Sequence, residues 1–597
     1  MTRILTAALL ALWAAAAPAQ QAADAVAPEA ATDTGFAALS PEVSAALAAK
    51  EAGRPVEATD WMVAAANPLA VSAGAEVLRM GGTAADAMVA VQAVLGLVEP
   101  QSSGLGGGAF LVWHDGATGE VTTLDGRETA PLDATPTLFL DEAGDPLGFF
   151  DAVVGGRSVG TPGTPALMEA AHRRWGRLAW APLLDPAIRL ADDGFAVSAR
   201  MAELVAKDAE RLGRFAPTRE YFLPDDTPLA EGDILRNPAY ADTLRRMQAE
   251  GADAIYTGPV AADIAETVQT APGNPGLLSE TDLALYEVRE RPAVCVPYRG
   301  HEVCGMGPPS SGGLTVGQIL GMLEGFDLAD MGPESAEAWR LIGDASRLAF
   351  ADRGRYMADS DFVPVPVEGL LDPDYLRARA QLFDTPPALP DDRVAPGDPE
   401  YDHALDWGEG WSPERPSTSH VSIIDRYGNA LSMTTTIENA FGSRLMVRGF
   451  LLNNELTDFS FRSHAEGRPI ANAVAPGKRP RSSMAPTIVL RDGAPVLVVG
   501  SPGGIAIIGY VAKTVIAHLD WGLDVQQAVA LPHLVNSFGT YVLEADAGLD
   551  GLAGELEALG YEVDTRDLNS GLHAISAGGD GLRGSADPRR EGIALGE

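Results

Sequence analysis

The stretch His420-Val-Ser-Ile-Ile-Asp425, which directly follows Thr418-Ser419, has the composition of a β-strand, and Ala430-Leu-Ser-Met-Thr-Thr-Thr-Ile437 has that of a second strand. Arg426-Tyr-Gly-Asn429 lies between them and carries glycine and asparagine, which favour a tight turn. The sequence therefore predicts a hairpin over these residues. Because both strands are rich in buried residue types, we expect the hairpin to lie in the centre of a sheet.

The segment before this hairpin is irregular. Residues 385–417 are rich in Pro, Asp and Glu and show little periodicity, which predicts a mobile linker. Thr418 thus stands where a linker meets a core strand. A hydroxyl needs a base to act as a nucleophile, and a threonine at a chain N-terminus has one in its own α-amine, whose ordinary pKa is about 7.7–8.0. Many threonines begin strands without such a role, so a purely structural Thr418 stays open here.

Length and composition limit the class of protein. The 597 residues predict two to four domains or one large layered domain, and 46% apolar with 21% charged residues is typical of a globular chain. The 43 Lys and Arg residues face 82 Asp and Glu residues, for a net charge of −39. A surface this acidic repels phosphate backbones, so nucleic acid is excluded as an expected partner.

The N-terminus predicts export. A short basic start is followed by the apolar run 4–17 and by Ala17-Pro18-Ala19, which fits the cleavage rule of a secretory signal peptide over residues 1–19. The run is too short to span a bilayer, and no other stretch reaches 18 apolar residues. We therefore expect a periplasmic or secreted protein with no membrane span after signal removal. Residues 20–58 are Ala-rich without steady periodicity and predict a flexible leader.

The two cysteines fit an oxidising compartment. Cys295 and Cys304 flank a predicted two-residue turn at Arg299-Gly300, which places them opposite each other in a non-hydrogen-bonded pair about 4.5 Å apart. That separation is within reach of a disulfide. The alternative is a pair of inert buried thiols.

No pattern indicates a cofactor or a metal. Gly104-Leu-Gly-Gly-Gly108 follows a predicted helix over 84–98 and precedes a predicted strand over 109–113, which is the reverse of the order in a dinucleotide-binding fold. We expect these glycines to allow close backbone packing instead. His-Glu-x-x-His is absent, and two cysteines at hairpin spacing cannot build a thiolate zinc site. A Ser–His–Asp triad among the nine histidines stays open.

Several spaced motifs occur in a fixed order along the chain. They are Asp125-Gly-Arg127-Glu128-x-Ala-Pro131, Pro308-Pro-Ser-Ser-Gly-Gly313, Thr418-Ser-His-x-Ser422, Thr434-x-Thr436-Ile-Glu438, Leu452-Asn-Asn-Glu455-Leu-Thr-Asp458, Lys478-Arg-Pro-Arg-Ser482-Ser483 and Gly500-Ser-Pro-Gly503-Gly504. This set resembles the signature of the γ-glutamyltransferase (γ-glutamyl transpeptidase, glutathione hydrolase) family, from about residue 60 to the C-terminus.

The resemblance implies an α+β fold, the αββα sandwich of the N-terminal-nucleophile hydrolases, in a proenzyme that cuts itself. The cut would fall between Ser417 and Thr418. It would leave a large subunit, whose body is residues 59–417, associated with a small subunit of residues 418–597. By resemblance Thr418 is the nucleophile of self-cleavage and of a γ-glutamyl-enzyme, Thr436 orients it, and the N–H groups of Gly503 and Gly504 stabilise the oxyanion.

The implied substrates are glutathione and other γ-glutamyl compounds, with water, amino acids or peptides as acceptors. A γ-glutamyl group carries a carboxylate and an ammonium on one carbon. A carboxylate suits a bidentate cation and hydroxyls, here Arg127, Ser482 and Ser483. An ammonium suits carboxylates, here Glu438, Glu455 and Asp458. The alternatives are an Arg127–Glu128 structural ion pair and serines that only form turns.

Two departures from the family pattern bear on the reaction. Glu438 stands where many members have Asn, although Glu also occurs there. The segment between Phe459 and Ala471 is shorter than the loop that covers the pocket in some members. The balance between hydrolysis and transfer therefore stays open. The nearest rival is a cephalosporin (glutaryl) acylase of the same fold, whose substrate lacks the ammonium; Asp458 argues against it. From another class, a periplasmic solute-binding protein for acidic amino acids would remain an uncut chain.

Overall fold

A computed structural model describes residues 40–403, 406–410, 412 and 417–597. The predicted signal peptide and residues 20–39 of the predicted leader lie outside the described residues. Across the described ranges, no helix combines the length and the apolar character needed to cross a membrane.

The strands of these residues are short, and most are antiparallel neighbours. In chain order they are Val56–Ala58 (β1), Met62–Ala65 (β2), Gly108–His114 (β3), Val121–Gly126 (β4), Phe195–Ala196 (β5), Ile234–Leu235 (β6), Arg289–Pro292 (β7), Val294–Tyr298 (β8), His301–Gly305 (β9), Ser419–Ile424 (β10), Ala430–Thr436 (β11), Met446–Val447 (β12), Phe450–Leu451 (β13), His464–Ala465 (β14), Arg468–Pro469 (β15), Thr487–Arg491 (β16), Ala494–Gly500 (β17), Leu534–Val535 (β18), Tyr541–Glu544 (β19), Val563–Arg566 (β20), His573–Gly578 (β21), Gly581–Ala586 (β22) and Ile593–Gly596 (β23).

The helices fall mainly before residue 381 and after residue 506. They are Pro41–Glu51 (α1), Pro68–Arg79 (α2), Ala84–Val98 (α3), Phe149–Val153 (α4), Thr164–Trp175 (α5), Trp180–Leu183 (α6), Asp185–Asp193 (α7), Ala199–Leu212 (α8), Ala216–Phe222 (α9), Pro238–Glu250 (α10), Asp253–Tyr256 (α11), Gly258–Gln269 (α12), Glu280–Ala284 (α13), Gly312–Leu323 (α14), Leu328–Met331 (α15), Ala336–Tyr356 (α16), Val367–Leu370 (α17), Pro373–Ala380 (α18), Ile507–Leu519 (α19), Val525–Ala530 (α20) and Asp550–Ala558 (α21).

Two seven-stranded sheets form the centre of the molecule. The first has the strand order β1-β22-β21-β17-β16-β9-β8, and the second has the order β23-β2-β10-β11-β3-β4-β7. The predicted hairpin is β10–β11, in the middle of the second sheet, with Ser419 opposite Thr435 and Ile424 opposite Ala430. Gly428 in its turn has a φ of 80°, which favours glycine.

Three apolar cores show that the sheets lie face to face between two helical layers. Met62 and Ile424 of the second sheet pack with Ile488 and Val498 of the first, in a core between the sheets. The outer face of the second sheet packs on helices that include α3, and the outer face of the first packs on helices that include α14, α16 and α19. The predicted αββα sandwich is confirmed. Successive side chains of each strand point to opposite faces of its sheet, so one set packs between the sheets and the other packs against a helical layer.

The prediction of a flexible leader over residues 20–58 is wrong for residues 41–58. Ser40 caps α1 by accepting from the Val43 N–H, and Val43 and Ala46 are buried. After this helix, β1 pairs with β22 at the edge of the first sheet. Two small buried residues are a weak periodic signal in an Ala-rich segment, which is why the sequence pattern did not reveal the helix.

The segment predicted as a mobile linker, residues 385–417, has little regular structure, although its described residues are tied to the body. Ala388 N–H donates to the Leu559 carbonyl at 2.9 Å, and Gly408 N–H donates to the Pro469 carbonyl at 2.8 Å. Residues 404, 405, 411 and 413–416 lie outside the described residues. The mobility of the segment 385–417 therefore stays a prediction. Its described residues make contacts with the body of the protein that the sequence did not indicate.

Cys295 and Cys304 form a disulfide across the β8–β9 hairpin. They are directly opposite in the strand register, with Cα atoms 4.0 Å apart. Arg299 and Gly300 in the turn both have positive φ, which suits a two-residue hairpin loop.

Candidate active site

Thr418 lies directly before β10, on the same face as Ile424, which packs between the two sheets. Because Ser419 pairs with Thr435, the next pair brings Thr418 beside Thr436 at the end of β11. The Thr418 hydroxyl donates to Thr436 Oγ1 at 3.0 Å, and Thr436 Oγ1 also accepts the Glu438 N–H at 2.9 Å. The two threonines predicted as nucleophile and orienting residue are therefore in direct contact, and the backbone of Glu438 fixes the second one.

The glycine loop 104–108 packs against the back of this pair. A Cβ on Gly107 would lie 1.9 Å from the Thr436 carbonyl oxygen, and one on Gly106 would lie 2.0 Å from the Leu451 carbonyl oxygen. Only glycine permits this approach. The loop therefore supports the strand end that holds Thr436, in keeping with the packing role that its position between α3 and β3 predicted.

The Ser417–Thr418 peptide is uncut in the structure, and both of its flanking carbonyl groups are held. The Ser417 carbonyl accepts the Gly503 N–H at 3.2 Å, and the Thr418 carbonyl accepts Arg590 Nη1 at 3.1 Å. Thr418 has a φ of 93°, a region that costs a β-branched residue roughly 1–3 kcal/mol. The peptide is thus strained, and its carbonyl oxygen already has a donor of the kind that stabilises an oxyanion.

Gly503 and Gly504 lie between β17 and α19. Gly503 has a φ of 134°, and a Cβ there would lie 2.7 Å from Tyr510 Cε2, so the position requires glycine. Gly504 lines the cavity in front of Thr418. Within the described residues it is Gly503, and not Gly504, whose N–H donates to the Ser417 oxygen.

Arg127 follows β4 and is fully buried beside the predicted acidic residues. Its Nη1 contacts Glu455, and its Nη2 lies 2.5 Å from Asp458 Oδ2. Nη2 also donates to the Arg481 carbonyl at 2.9 Å. The guanidinium expected to bind the carboxylate and two acids expected to bind the ammonium are therefore paired with one another in the uncut chain.

The two serines lie in the irregular stretch before β16, which begins at Thr487. Ser482 Oγ accepts the Met484 N–H at 3.1 Å, and Ser483 Oγ accepts Arg353 Nη2 at 2.7 Å. Both serines line the cavity in front of Thr418.

Glu438 reaches the same cavity from the other side of the threonine pair. It has a φ of 71°, and its carboxylate accepts the Asn454 side-chain amide. The predicted residues thus converge on one cavity of about 20 Å³, enough for about one water molecule. Its lining consists of Arg127, Thr418, Thr436, Glu438, Glu455, Asp458, Ser482, Ser483, Met484, Gly504 and Ile507.

Burial and neighbouring charges shift the pKa values on the acidic side of the cavity. Burial alone would lower the pKa of Arg127, but the facing Glu455 and Asp458 raise it above its ordinary value, so Arg127 is charged. Burial raises the pKa of Glu455, although the nearby Arg127 opposes that rise. Burial, and secondly the facing Glu455 carboxylate, raise the pKa of Glu128 well above its ordinary value. The Glu128 carboxyl lies 3.9 Å from Arg127 Nη1, so Arg127 faces three acidic side chains.

Three of the functional contacts come from residues that the sequence analysis missed. Arg353 on α16, Arg590 after β22 and Asn454 before the Glu455–Asp458 turn each hold a predicted site residue. Many arginines of this chain are buried, and spacing along the sequence does not indicate which residues they contact.

A Ser–His–Asp cluster does exist, although its order does not suit catalysis. His533 Nε2 lies 2.7 Å from Ser570 Oγ, and Ser570 donates to Asp587. The serine therefore lies between the acid and the imidazole, whereas a catalytic triad places the imidazole in the middle. All three are fully buried, so a substrate has no access to the hydroxyl.

Within the described residues, no cluster of three or more His, Cys, Asp or Glu side chains is arranged to hold a metal ion.

Known proteins match this chain over most of its length. A family model described as Gamma-glutamyltranspeptidase matches residues 70–597. The glutathione hydrolase proenzyme of Bacillus subtilis (strain 168) is 39% identical over 548 residues, covering 90% of this chain and 91% of that protein. The acylase ACY 1 proenzyme of Pseudomonas sp. (strain SE83) is 34% identical over 550 residues, covering 90% and 94%. The crystal structure of cephalosporin acylase from Bacillus halodurans superposes with a TM-score of 0.79 at 24% identity, covering 91% of this chain and 97% of that one, and supports the fold.

Proposed function

Since the chain belongs to the gamma-glutamyltranspeptidase family, we propose that it is a γ-glutamyltransferase and glutathione hydrolase whose nucleophile is Thr418. The observation that carries the proposal is one cavity with two chemical sides at the Thr418 hydroxyl. Arg127, Ser482 and Ser483 suit the carboxylate of a γ-glutamyl group, and Glu455 with Asp458 suits its ammonium.

Self-cleavage is the first step of the proposed activity. Thr418 Oγ1 attacks the Ser417 carbonyl carbon, the Gly503 N–H stabilises the oxyanion, and the hydroxyl proton passes to the departing Thr418 nitrogen as the C–N bond breaks. Water then hydrolyses the resulting ester. It leaves a Ser417 carboxylate and a Thr418 with a free hydroxyl and a free α-amine.

The freed amine supplies the base for turnover. It takes the Thr418 hydroxyl proton as Oγ1 attacks the γ-carbonyl carbon of the substrate, and it returns the proton to the leaving amine. The γ-glutamyl ester is then cleaved by water, or by the amine of an amino acid or peptide. No step draws on a metal or a cofactor.

Entry of a substrate requires the internal ion pairs to exchange. In the uncut chain Arg127 is paired with Glu455 and Asp458, and the cavity has room for only about one water molecule. A zwitterionic γ-glutamyl group offers Arg127 a carboxylate and offers the two acids an ammonium. We infer that the bound substrate replaces the internal pairs with equivalent external ones, which limits the desolvation cost of binding.

The two fragments should remain one molecule. In the second sheet, β10 and β11 of the small subunit lie between β2 and β3 of the large subunit, so cutting before β10 breaks no strand pairing. We therefore propose a heterodimer of the two fragments. We also propose that it acts in the periplasm or outside the cell, because the first 19 residues have the pattern of a signal peptide.

A denaturing gel tests the proposal directly. The wild type should give two bands, with Thr418 at the N-terminus of the smaller, and should release aniline from a γ-glutamyl-anilide. Thr418→Ala should remain one inactive band. Two bands from the alanine variant, or a fully active uncut wild type, would contradict the nucleophile assignment; an intact inactive wild type would favour a binding protein.

An acylase is the second candidate, because the chain also matches the acylase ACY 1 proenzyme. A glutaryl substrate has no ammonium to replace Arg127 at Glu455 and Asp458, and would leave these buried carboxylates without a counter-charge. Comparable kcat/KM values on glutaryl-anilide and γ-glutamyl-anilide would favour the acylase.

A further inference from the structure

The N-terminal helix α1 lies before residue 70, where the family match begins, and yet it reaches toward the candidate active site. Val43 and Ala46 bury one face of the helix, which packs against β23. This places Lys50, in the last turn, over the chain that leads into β23. Lys50 is one of only four lysines in a chain with a net charge of −39.

The Lys50 ammonium fixes the backbone of a single loop. Nζ donates to the Arg590 carbonyl at 2.7 Å and to the Gly592 carbonyl at 2.8 Å. Hydrogen bonds from a charged donor are roughly twice as strong as bonds between neutral groups. We name residues 587–592 the clamp loop; Lys50 thus holds its second half.

The first half of the clamp loop is anchored separately. Asp587 Oδ2 accepts the Gly571 N–H at 2.9 Å and the Leu572 N–H at 3.0 Å. Between these anchors, the side chain of Arg590 extends toward β10. Its Nε donates to Asn569 Oδ1 at 2.8 Å, its Nη1 donates to the Thr418 carbonyl at 3.1 Å, and the residue is 2% exposed.

The Thr418 carbonyl matters because cleavage makes Thr418 a chain end. The ladder of β10 with β11 begins at Ser419, so the Thr418 carbonyl takes its partner from Arg590 instead of from a strand. After cleavage the rotation of this terminal residue determines where its amine and its hydroxyl point. Displacements near 1 Å at reacting groups can cost up to about 10²-fold in rate.

We propose that Lys50 is a positioning residue for the nucleophile: it fixes the clamp loop so that Arg590 holds the Thr418 carbonyl. This inference rests on the proposed role of Thr418. It makes α1 of the large subunit part of the support of a residue at the N-terminus of the small subunit.

The test compares Lys50→Met with Lys50→Arg in the full-length protein. Lys50→Met keeps the apolar stem and removes the donors, and should lower kcat on γ-glutamyl-anilide about 10-fold, with KM changed less than about 2-fold. Self-cleavage, followed on a gel, should slow in parallel. Lys50→Arg keeps donors for both carbonyls and should restore at least half of the wild-type kcat.

Two controls separate positioning from general stability. Lys207→Met removes an exposed lysine of α8 that pairs with Glu203 at 2.6 Å, and should leave kcat unchanged. Val43→Ala weakens the packing of α1 without removing the ammonium, and should lower Tm with a smaller loss of kcat than Lys50→Met. If kcat falls in proportion to Tm in both α1 variants, Lys50 only holds the helix and the inference is wrong.

A double-mutant cycle tests the route through Arg590. Arg590→Met should lower kcat by at least as much as Lys50→Met, and the double variant should be no worse than Arg590→Met alone. Additive losses in kcat would overturn the route. If Lys50→Met is insoluble, Lys50→Gln replaces it in both the single and the double variant. A wild type that is neither cut nor active would refute the proposed function, whereas a cut, active wild type matched by Lys50→Met would refute only the present inference.

Discussion

Replacement of Gly503 by alanine probes the strained Ser417–Thr418 peptide most directly. The Gly503 N–H donates to the Ser417 carbonyl at 3.2 Å, Gly503 has a φ of 134°, and a new Cβ would lie 2.7 Å from Tyr510 Cε2. That contact is too short to persist, so the backbone must rotate and take the N–H with it. Loss of one oxyanion donor costs about 3–4 kcal/mol, which corresponds to about 10²–10³-fold in rate.

We therefore expect Gly503→Ala to slow self-cleavage about 10²–10³-fold, and to slow turnover of any cleaved fraction by a similar factor. The conversion of one band to two is followed on a denaturing gel after purification. Gly548→Ala is the matched control, because Gly548 also has a positive φ of 72° but has no atom within 4 Å of a built Cβ. The control should lose about 1 kcal/mol of stability and cleave normally.

Wild-type cleavage rates in Gly503→Ala would refute the assignment of this N–H to the oxyanion. Equal slowing in Gly503→Ala and Gly548→Ala would attribute the effect to general backbone strain.

Three further substitutions test other parts of the site. We expect the wild type to prefer γ-glutamyl-anilide over glutaryl-anilide by at least about 10²-fold in kcat/KM. Asp458→Asn should reduce this ratio, mainly by lowering kcat/KM for γ-glutamyl-anilide. An unchanged ratio would contradict the ammonium site. Thr436→Val removes the partner of the Thr418 hydroxyl and leaves the buried Glu438 N–H unpaired, so kcat should fall about 10²-fold while Thr436→Ser retains most activity. Burial lowers the pKa of His573 from 6.5 to about 3, so the unfolded chain binds more protons between these values and the free energy of unfolding falls as the pH drops from about 6.5 toward 3. His573→Gln should reduce this pH-dependent fall in the free energy of unfolding, as measured by urea unfolding at several pH values. The same pH dependence in His573→Gln and wild type would contradict the assignment to His573.

The hairpin and the disulfide illustrate what the sequence determines locally. Alternation along β10 and β11, with glycine at the turn, predicts both strands to within one residue of their observed ends. The Arg299-Gly300 turn sets the register in which Cys295 faces Cys304. In both cases a short loop fixes the geometry, so the outcome does not depend on distant parts of the chain.

Helix α1 and the arginine contacts depend on tertiary context. The buried face of α1 consists only of Val43 and Ala46, which is too little to predict a helix from the sequence alone. The reason for their burial is visible only in the structure, where β23 packs against this face. Arg353 and Arg590 are separated by 130 and 172 residues from Ser483 and Thr418, the residues they contact. The spacing of residues along the sequence does not indicate which residues such arginines contact. These contacts form only when strands from both ends of the chain, such as β2 and β23, come together in one sheet.

The pairing of Arg127 shows a different limit of residue-by-residue reasoning. Charge complementarity with a γ-glutamyl group assigns Arg127 to the carboxylate and Glu455 with Asp458 to the ammonium, yet the same complementarity lets the three pair with one another. Because a buried charge without a partner costs several kcal/mol, an empty pocket of this kind favours internal ion pairs. The arrangement of the uncut chain is thus the expected resting state of a site built for a zwitterion, and a substrate with only one of the two charges would leave part of it unpaired. The discrimination between γ-glutamyl and glutaryl groups therefore depends on the exchange of whole ion pairs and not on any single contact.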